Sequence, residues 1–205
     1  MEETKENVSV AKETMDIKKE AKKGAIFCVV ANAIIFLVGF ITLFTPLFKV
    51  VSEYKLTVES KSLISLIVDS VKAENISGVN TETLFALSAY RIATYWGMLI
   101  ILLVYLGEAS SNNSKAIFIL SQPTLTVEGY AFQRGGIGGQ NSIFLGISFL
   151  LLAVIVGKLN QSMVLGVGFY IFLISYIVGI ILQLVGVNLF NPIDKKLGLG
   201  KPKKR

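Results

Sequence analysis

Long apolar stretches, uncharged except for Arg91 in the second, are separated by polar segments and set the pattern of this chain. They cover residues 24–48, about 84–107, 142–157 and 163–189. A helix needs about 20 apolar residues to cross the hydrocarbon core of a bilayer. The pattern therefore predicts an all-α membrane protein, a four-transmembrane-helix bundle. A charged N-terminal segment (1–23) precedes the 24–189 membrane domain, and a basic tail (190–205) follows it. The first stretch, Gly24–Phe48, carries no charge and places Pro46 in its last turn, where a missing hydrogen bond costs least. It is too long for a signal-peptide core of about 7–15 residues, and no small-residue cleavage site follows it. The second stretch is expected to begin near Leu84 rather than at Ile92, with Arg91 reaching outward and Tyr90, Tyr95 and Trp96 forming an aromatic belt. Only Lys158–Ser162 separates the third and fourth stretches, which predicts a helical hairpin.

Two loops carry patterns of their own. In the outer loop (49–83), residues 52–60 alternate, with Tyr54, Leu56 and Val58 on one face, as in a strand with one covered side. From Lys61 to Asn75 the period lengthens. Leu63, Ile64, Ile67 and Val71 share one side of a predicted amphipathic helix. The inner loop (108–141) opens with the polar run Ser110–Ser114. Ala116–Leu120 and Thr124–Phe132 then read as a cytoplasmic β-hairpin turned at Ser121-Gln122-Pro123. Gly135-Gly136-Ile137-Gly138-Gly139 lacks the P-loop Lys-Ser/Thr pair and reads as a flexible lead-in to the third span.

Composition agrees with a lipid solvent. Apolar residues make up 53% and charged residues 17%, against about a quarter charged in a soluble domain. The net charge of +6 is concentrated at the ends. With the N-terminus inside, inner segments hold 14 lysines and arginines and outer segments hold 6. The positive-inside bias thus places both termini in the cytoplasm, with the plasma membrane the expected location. The tail residues Lys195, Lys196, Lys201, Lys203, Lys204 and Arg205 are expected to meet anionic lipid headgroups rather than nucleic acid.

Small residues predict how the helices meet, because in lipid close backbone approach replaces hydrophobic association. Gly168, Ser175, Gly179 and Gly186 fall on one line of the fourth span, and Ser142, Gly146, Ala153 and Gly157 on one side of the third. The short loop between these spans makes them the expected partners. Gly24, Cys28, Ala31 and Thr42 form a weaker stripe on the first span. Asn32 and Gln183 are the notable polar groups inside the spans.

Little here points to chemistry. Histidine is absent, which removes the commonest metal ligand and general base. Glu108, Glu128 and Asp194 are scattered along the inner segments, so no catalytic residue, cofactor site or metal site is assigned. Asn75-Ile76-Ser77 matches a glycosylation acceptor. The layout resembles the tetraspan plan of claudin-like proteins, as topology only. Residues 49–83 contain neither the tryptophan nor the cysteines of that family's signature, so no family follows. The expected role is a non-enzymatic scaffold or subunit in the bilayer, with a protein partner or a second copy of itself. The alternative is a channel or transporter component working as an oligomer.

Overall fold

A computed structural model of the chain describes residues 2–52, 57–71, 81–137, 140–159 and 163–199. Within them the elements run α1 (Glu2–Thr42), β1 (Pro46–Ser52), β2 (Thr57–Ser62), α2 (Leu63–Val71), α3 (Thr81–Ser121), α4 (Val127–Gly135), α5 (Gln140–Leu159), β3 (Met163–Leu165) and α6 (Val167–Lys196). The protein is mostly helical. Lys18–Thr42 of α1, Ala89–Ser121 of α3 and Val167–Lys196 of α6 are each long and apolar enough to cross a membrane, as is Val127–Leu159, which holds α4 and α5.

Burial follows a seven-residue repeat on each long helix. On α3 the steps alternate between three and four from Tyr95 through Met98, Leu102, Tyr105, Ala109, Asn112 and Ala116 to Ile119. On α6 the same spacing runs from Phe169 to Ile193, and on α1 from Ala21 to Thr42. This 3.5-residue period is the seam of coiled-coil packing and brings knobs of one helix to holes of another.

Several boundaries depart from the sequence expectation. The first span ends at Thr42 rather than Phe48. Turn hydrogen bonds at Leu43, Phe44 and Thr45 close the helix, and the chain enters β1 at Pro46. Proline drives the residue before it out of the helical region, so Pro46 acts as a stop and not as a tolerated last turn. The fourth helix begins at Val167, after β3, and continues through Pro192 to Lys196. The cytoplasmic β-hairpin is not formed. Ala116–Leu120 belongs to α3, because Ala116 and Ile119 extend its buried seam. The preceding serine run stays helical, with Ser114 Oγ donating back to the Ser110 carbonyl at 3.0 Å. Residues 127–132 lie in α4. Thr126 starts that helix by accepting from the Gly129 N–H at 3.1 Å, a side-chain cap that competes with extended structure.

Two compact units divide the chain. The first comprises Met1–Ile35, Glu108–Asn141 and Ile177–Arg205, and the second Phe36–Gly107 and Ser142–Tyr176.

The first unit has a core of Ala21, Ala25 and Cys28 from α1, Ala116 and Ile119 from α3, Tyr130 from α4, Ile137, and Phe190 and Ile193 from α6. Gly136 caps α4 and Ile137 is buried, so the glycine-rich segment begins as a fixed corner. Gly138 and Gly139 lie outside the described residues.

The second unit is built on aromatic rings and a small sheet. Phe172 of α6 lies 4.7 Å from Phe149 of α5 and 5.6 Å from Tyr105 of α3, measured between ring centroids. Tyr176 stacks parallel to Phe172, with an interplanar angle of 5°. Its hydroxyl donates to the Ile143 carbonyl of α5 at 2.6 Å. The sheet is antiparallel, in the order β2-β1-β3, with Lys49 opposite both Ser60 and Val164. An irregularity in the register between Pro46 and Phe48 lets the consecutive residues Leu47 and Phe48 both be buried. Val58 is 61% exposed, contrary to the covered face expected of it. Tyr54 and Leu56 lie outside the described residues, as do Asn75-Ile76-Ser77 and the 160–162 connection. The predicted outer-loop helix is α2, which buries Leu63, Leu66 and Ile67. Ser62 caps it, accepting from the Ser65 N–H at 3.2 Å. Lys61 bridges Glu59 at 3.0 Å and Asp69 at 2.9 Å, tying β2 to α2.

The hydrogen bonds to Asp69 and then Glu59 raise the Lys61 pKa. A raised lysine pKa places this contribution at neutral pH and removes it only as pH rises through the folded value. The two carboxylates are well solvated, so Lys61→Met should cost under about 1 kcal/mol in detergent unfolding at neutral pH.

Candidate functional site

Residues singled out by the sequence separate into three groups: a close helix crossing, a set of buried amides, and a polar cluster at the ends of α4 and α6.

The crossing joins α1 to α6 within the first unit. A Cβ placed on Gly186 would lie 2.7 Å from Cys28 Sγ and 3.0 Å from the Gly24 carbonyl. One placed on Gly24 would lie 3.0 Å from the Gly186 carbonyl. At Gly186 a methyl group would collide with the Cys28 side chain, and at Gly24 it would press on the Gly186 carbonyl and the Phe190 ring, so glycine at both positions lets the backbones come close. A Cβ placed on Gly179 would lie 2.6 Å from Ile35 Cγ1 and 3.8 Å from the Ala31 carbonyl. The expectation that Gly179 and Gly186 pack against the third span is therefore corrected: their partner is the stripe on α1. A short loop makes two helices neighbours but leaves open which face each turns to the other.

The remaining stripe residues lie in the second unit. Gly146 of α5 is filled by the ring of Tyr176, a large residue set into a notch. Ala153 is fully buried on the α5 seam, and Ser175 lies beside the α6 seam. A Cβ placed on Gly168 would lie 2.6 Å from Thr45 Oγ1 and 2.9 Å from the Pro46 carbonyl, so glycine there admits the chain entering β1. A Cβ placed on Gly157 would meet only ordinary contacts, Leu165 at 3.5 Å and Phe48 at 3.8 Å.

The amides occupy seam positions in the first unit. Asn32 of α1 is fully buried, Asn112 of α3 is 2% exposed and Gln183 of α6 is 4% exposed. Asn32 Nδ2 donates to the Cys28 carbonyl at 2.7 Å. Asn32 Oδ1 and Gln183 Nε2 are buried without a hydrogen-bond partner in the protein. Asn112 escaped the sequence reading because the Ser110–Ser114 run looked like a loop. Its spacing of four from Ala116 and three from Ala109 was the available signal.

The polar cluster also went unread, since its members are about sixty residues apart. Tyr130 Oη donates to Asp194 Oδ1 at 2.8 Å. Arg134 Nε donates to Asp194 Oδ2 at 3.0 Å, its Nη2 pairs ionically with the same oxygen at 3.0 Å, and its Nη1 donates to the Ile137 carbonyl at 3.1 Å. The Arg134 guanidinium lies 5.1 Å from the Phe190 ring centre. Arg134 and Asp194 are only 16% and 15% exposed. Residues read from the sequence as part of a free tail thus lock α6 to α4. Of the tail lysines, Lys195 and Lys196 are exposed, with Lys196 3.8 Å from Glu20. Lys201, Lys203, Lys204 and Arg205 lie outside the described residues.

These geometries rank the substitutions. Gly186→Leu should cost about 1–3 kcal/mol by overpacking against α1, and Gly157→Leu much less, as read by thermal unfolding in detergent. Removing one member of a largely buried ion pair leaves the other uncompensated. Asp194→Ala should therefore cost about 3 kcal/mol, well above Lys61→Met in the same assay. No protein-family model, curated protein or solved structure matches this chain.

Proposed function

We infer that this protein is a non-enzymatic integral membrane scaffold or subunit, acting through contacts in the bilayer. The observation that carries the reading is the filling of the buried seams. Among the described residues they hold apolar, small and neutral polar side chains, closely interlocked, and no charged one. Ion-coupled transport usually places ionisable groups on such inward faces. The opposite faces present large apolar residues to their surroundings. On α1 these are Leu37, Phe40 and Ile41, each between 47% and 59% exposed, with Phe44 just beyond its end at 61%. That face suits lipid, a membrane partner or a second copy of the chain.

The orientation follows from charge. Both termini and the inner loop are cytoplasmic, and the exposed lysines near the C-terminus meet anionic headgroups, in a plasma-membrane setting. The first unit supports this reading by bringing the N-terminal part of α1 and the end of α6 together with the end of α3 and with α4.

A second reading, a channel or transporter component working as an oligomer, is favoured by the buried amides alone. One pair of experiments separates the two. Capture of the tagged full-length protein in mild detergent, followed by mass spectrometry, should recover discrete partners in fixed stoichiometry. Asn32→Leu and Gln183→Leu should alter stability or partner yield and leave solute flux in reconstituted vesicles at the protein-free level. A pure homo-oligomer whose flux falls with either substitution would replace the scaffold reading with the pore.

A further inference from the structure

We propose that Asn32 and Gln183 hold a water molecule at the α1–α6 crossing, a hydration site inside the membrane span. The inference concerns the interior of the first unit and stands apart from the scaffold reading.

The placement comes from the antiparallel ladder between the two helices. Gly186 lies against Cys28, and Gly179 lies against Ile35 and Ala31. Gln183 follows Gly179 by four residues and precedes Gly186 by three, so it sits between these two contacts on the same face. Asn32 follows Cys28 by four and precedes Ile35 by three, so it sits between the matching contacts on α1. The two amides therefore share one level of the crossing. Asn112 adds a third amide from α3, one turn from Ala116, which packs in the same cluster as Cys28 and Phe190.

The chemistry of the unpaired atoms identifies the ligand. Asn32 cannot turn its amide around, because Nδ2 already donates to the Cys28 carbonyl and a flip would set two acceptors against each other. Its Oδ1 is thus an acceptor without a donor, and Gln183 Nε2 is a donor without an acceptor. Each orphan costs free energy, the more so where no bulk water can reach it. A cation would be held by the Asn32 oxygen, joined by Gln183 only if its amide turned about, and an anion by the Gln183 amide alone. Either would leave a buried charge with no counter-charge on the seam. Water both donates and accepts, and buried water typically makes about three hydrogen bonds to otherwise unsatisfied groups. It donates to Asn32 Oδ1, accepts from Gln183 Nε2, and leaves one O–H for Asn112 or a backbone carbonyl.

The test uses the intact protein in lipid nanodiscs. A structure at a resolution that shows water should place a density peak within hydrogen-bond distance of both Gln183 Nε2 and Asn32 Oδ1. A direct amide-to-amide contact with no peak would overturn the proposal. X-ray radiolytic labelling read by mass spectrometry gives an independent arm, because a bound water generates hydroxyl radical beside buried side chains. Wild-type protein should be oxidised at Cys28, and Gln183→Leu should lower that labelling several-fold. Asn32→Leu serves as the second variant should Gln183→Leu fail to fold. Unchanged labelling in the folded variant, or none in the wild type, would also overturn it.

Discussion

Close contact between the backbones of α1 and α6 at Gly24 and Gly186 is the constraint on which the first unit depends. Lipid tails are as apolar as leucine, so burying leucine against leucine gains little there. What remains is dispersion at short range, and dispersion falls steeply with separation. Two glycines facing each other bring two carbonyls within reach of the opposing helix. Cys28, itself small, completes the crossing. Around it the seam settles Ala21, Ala25, Ala116 and Phe190 into one core. The second unit solves the same problem differently. It sets the large ring of Tyr176 into the notch at Gly146 and lets Phe149, Phe172 and Tyr105 fill the space around it. Glycine creates both sites, in one case for a backbone and in the other for a ring.

Polar chemistry is rationed by the same environment. Helices satisfy their own backbone, and Asn32, Ser114 and Thr42 return their side-chain donors to carbonyls four residues earlier. The Tyr130–Arg134–Asp194 cluster lies where α4 and the end of α6 meet, and it makes an anchored corner of what charge counting describes as a basic tail. A buried ion pair contributes little net stability over an apolar substitute, but it strongly penalises arrangements that separate its partners. Here those partners are Arg134 at the end of α4 and Asp194 near the end of α6.

The aromatic contacts and the ion pair show why some features were legible and others were not. The alternation of apolar and polar stretches located the helices, and small-residue periodicity located the faces of α1, α5 and α6 that pack. The pairing of those faces was misassigned, since loop length reports adjacency and says nothing of rotation about the helix axis. The short strands β1 and β3 were absorbed into apolar runs, because a few residues of apolar sequence fit strand and helix equally well. The run Ser110–Ser114 looked like a loop by composition, yet the three-and-four spacing through Ala109, Asn112 and Ala116 continues undisturbed beneath it.

By itself the sequence determined that four apolar helices exist, roughly where each lies, and which of their faces are small. Those properties are local: hydrophobic length and side-chain volume are written residue by residue, and a helix in lipid must close its own hydrogen bonds. The tertiary structure alone decided that α6 turns Gly179 and Gly186 to α1, that three amides from three helices fall in one unit, and that Asp194 meets Arg134. Each of these depends on which distant surfaces fit at van der Waals range, and complementarity of that kind has no signature along a single chain.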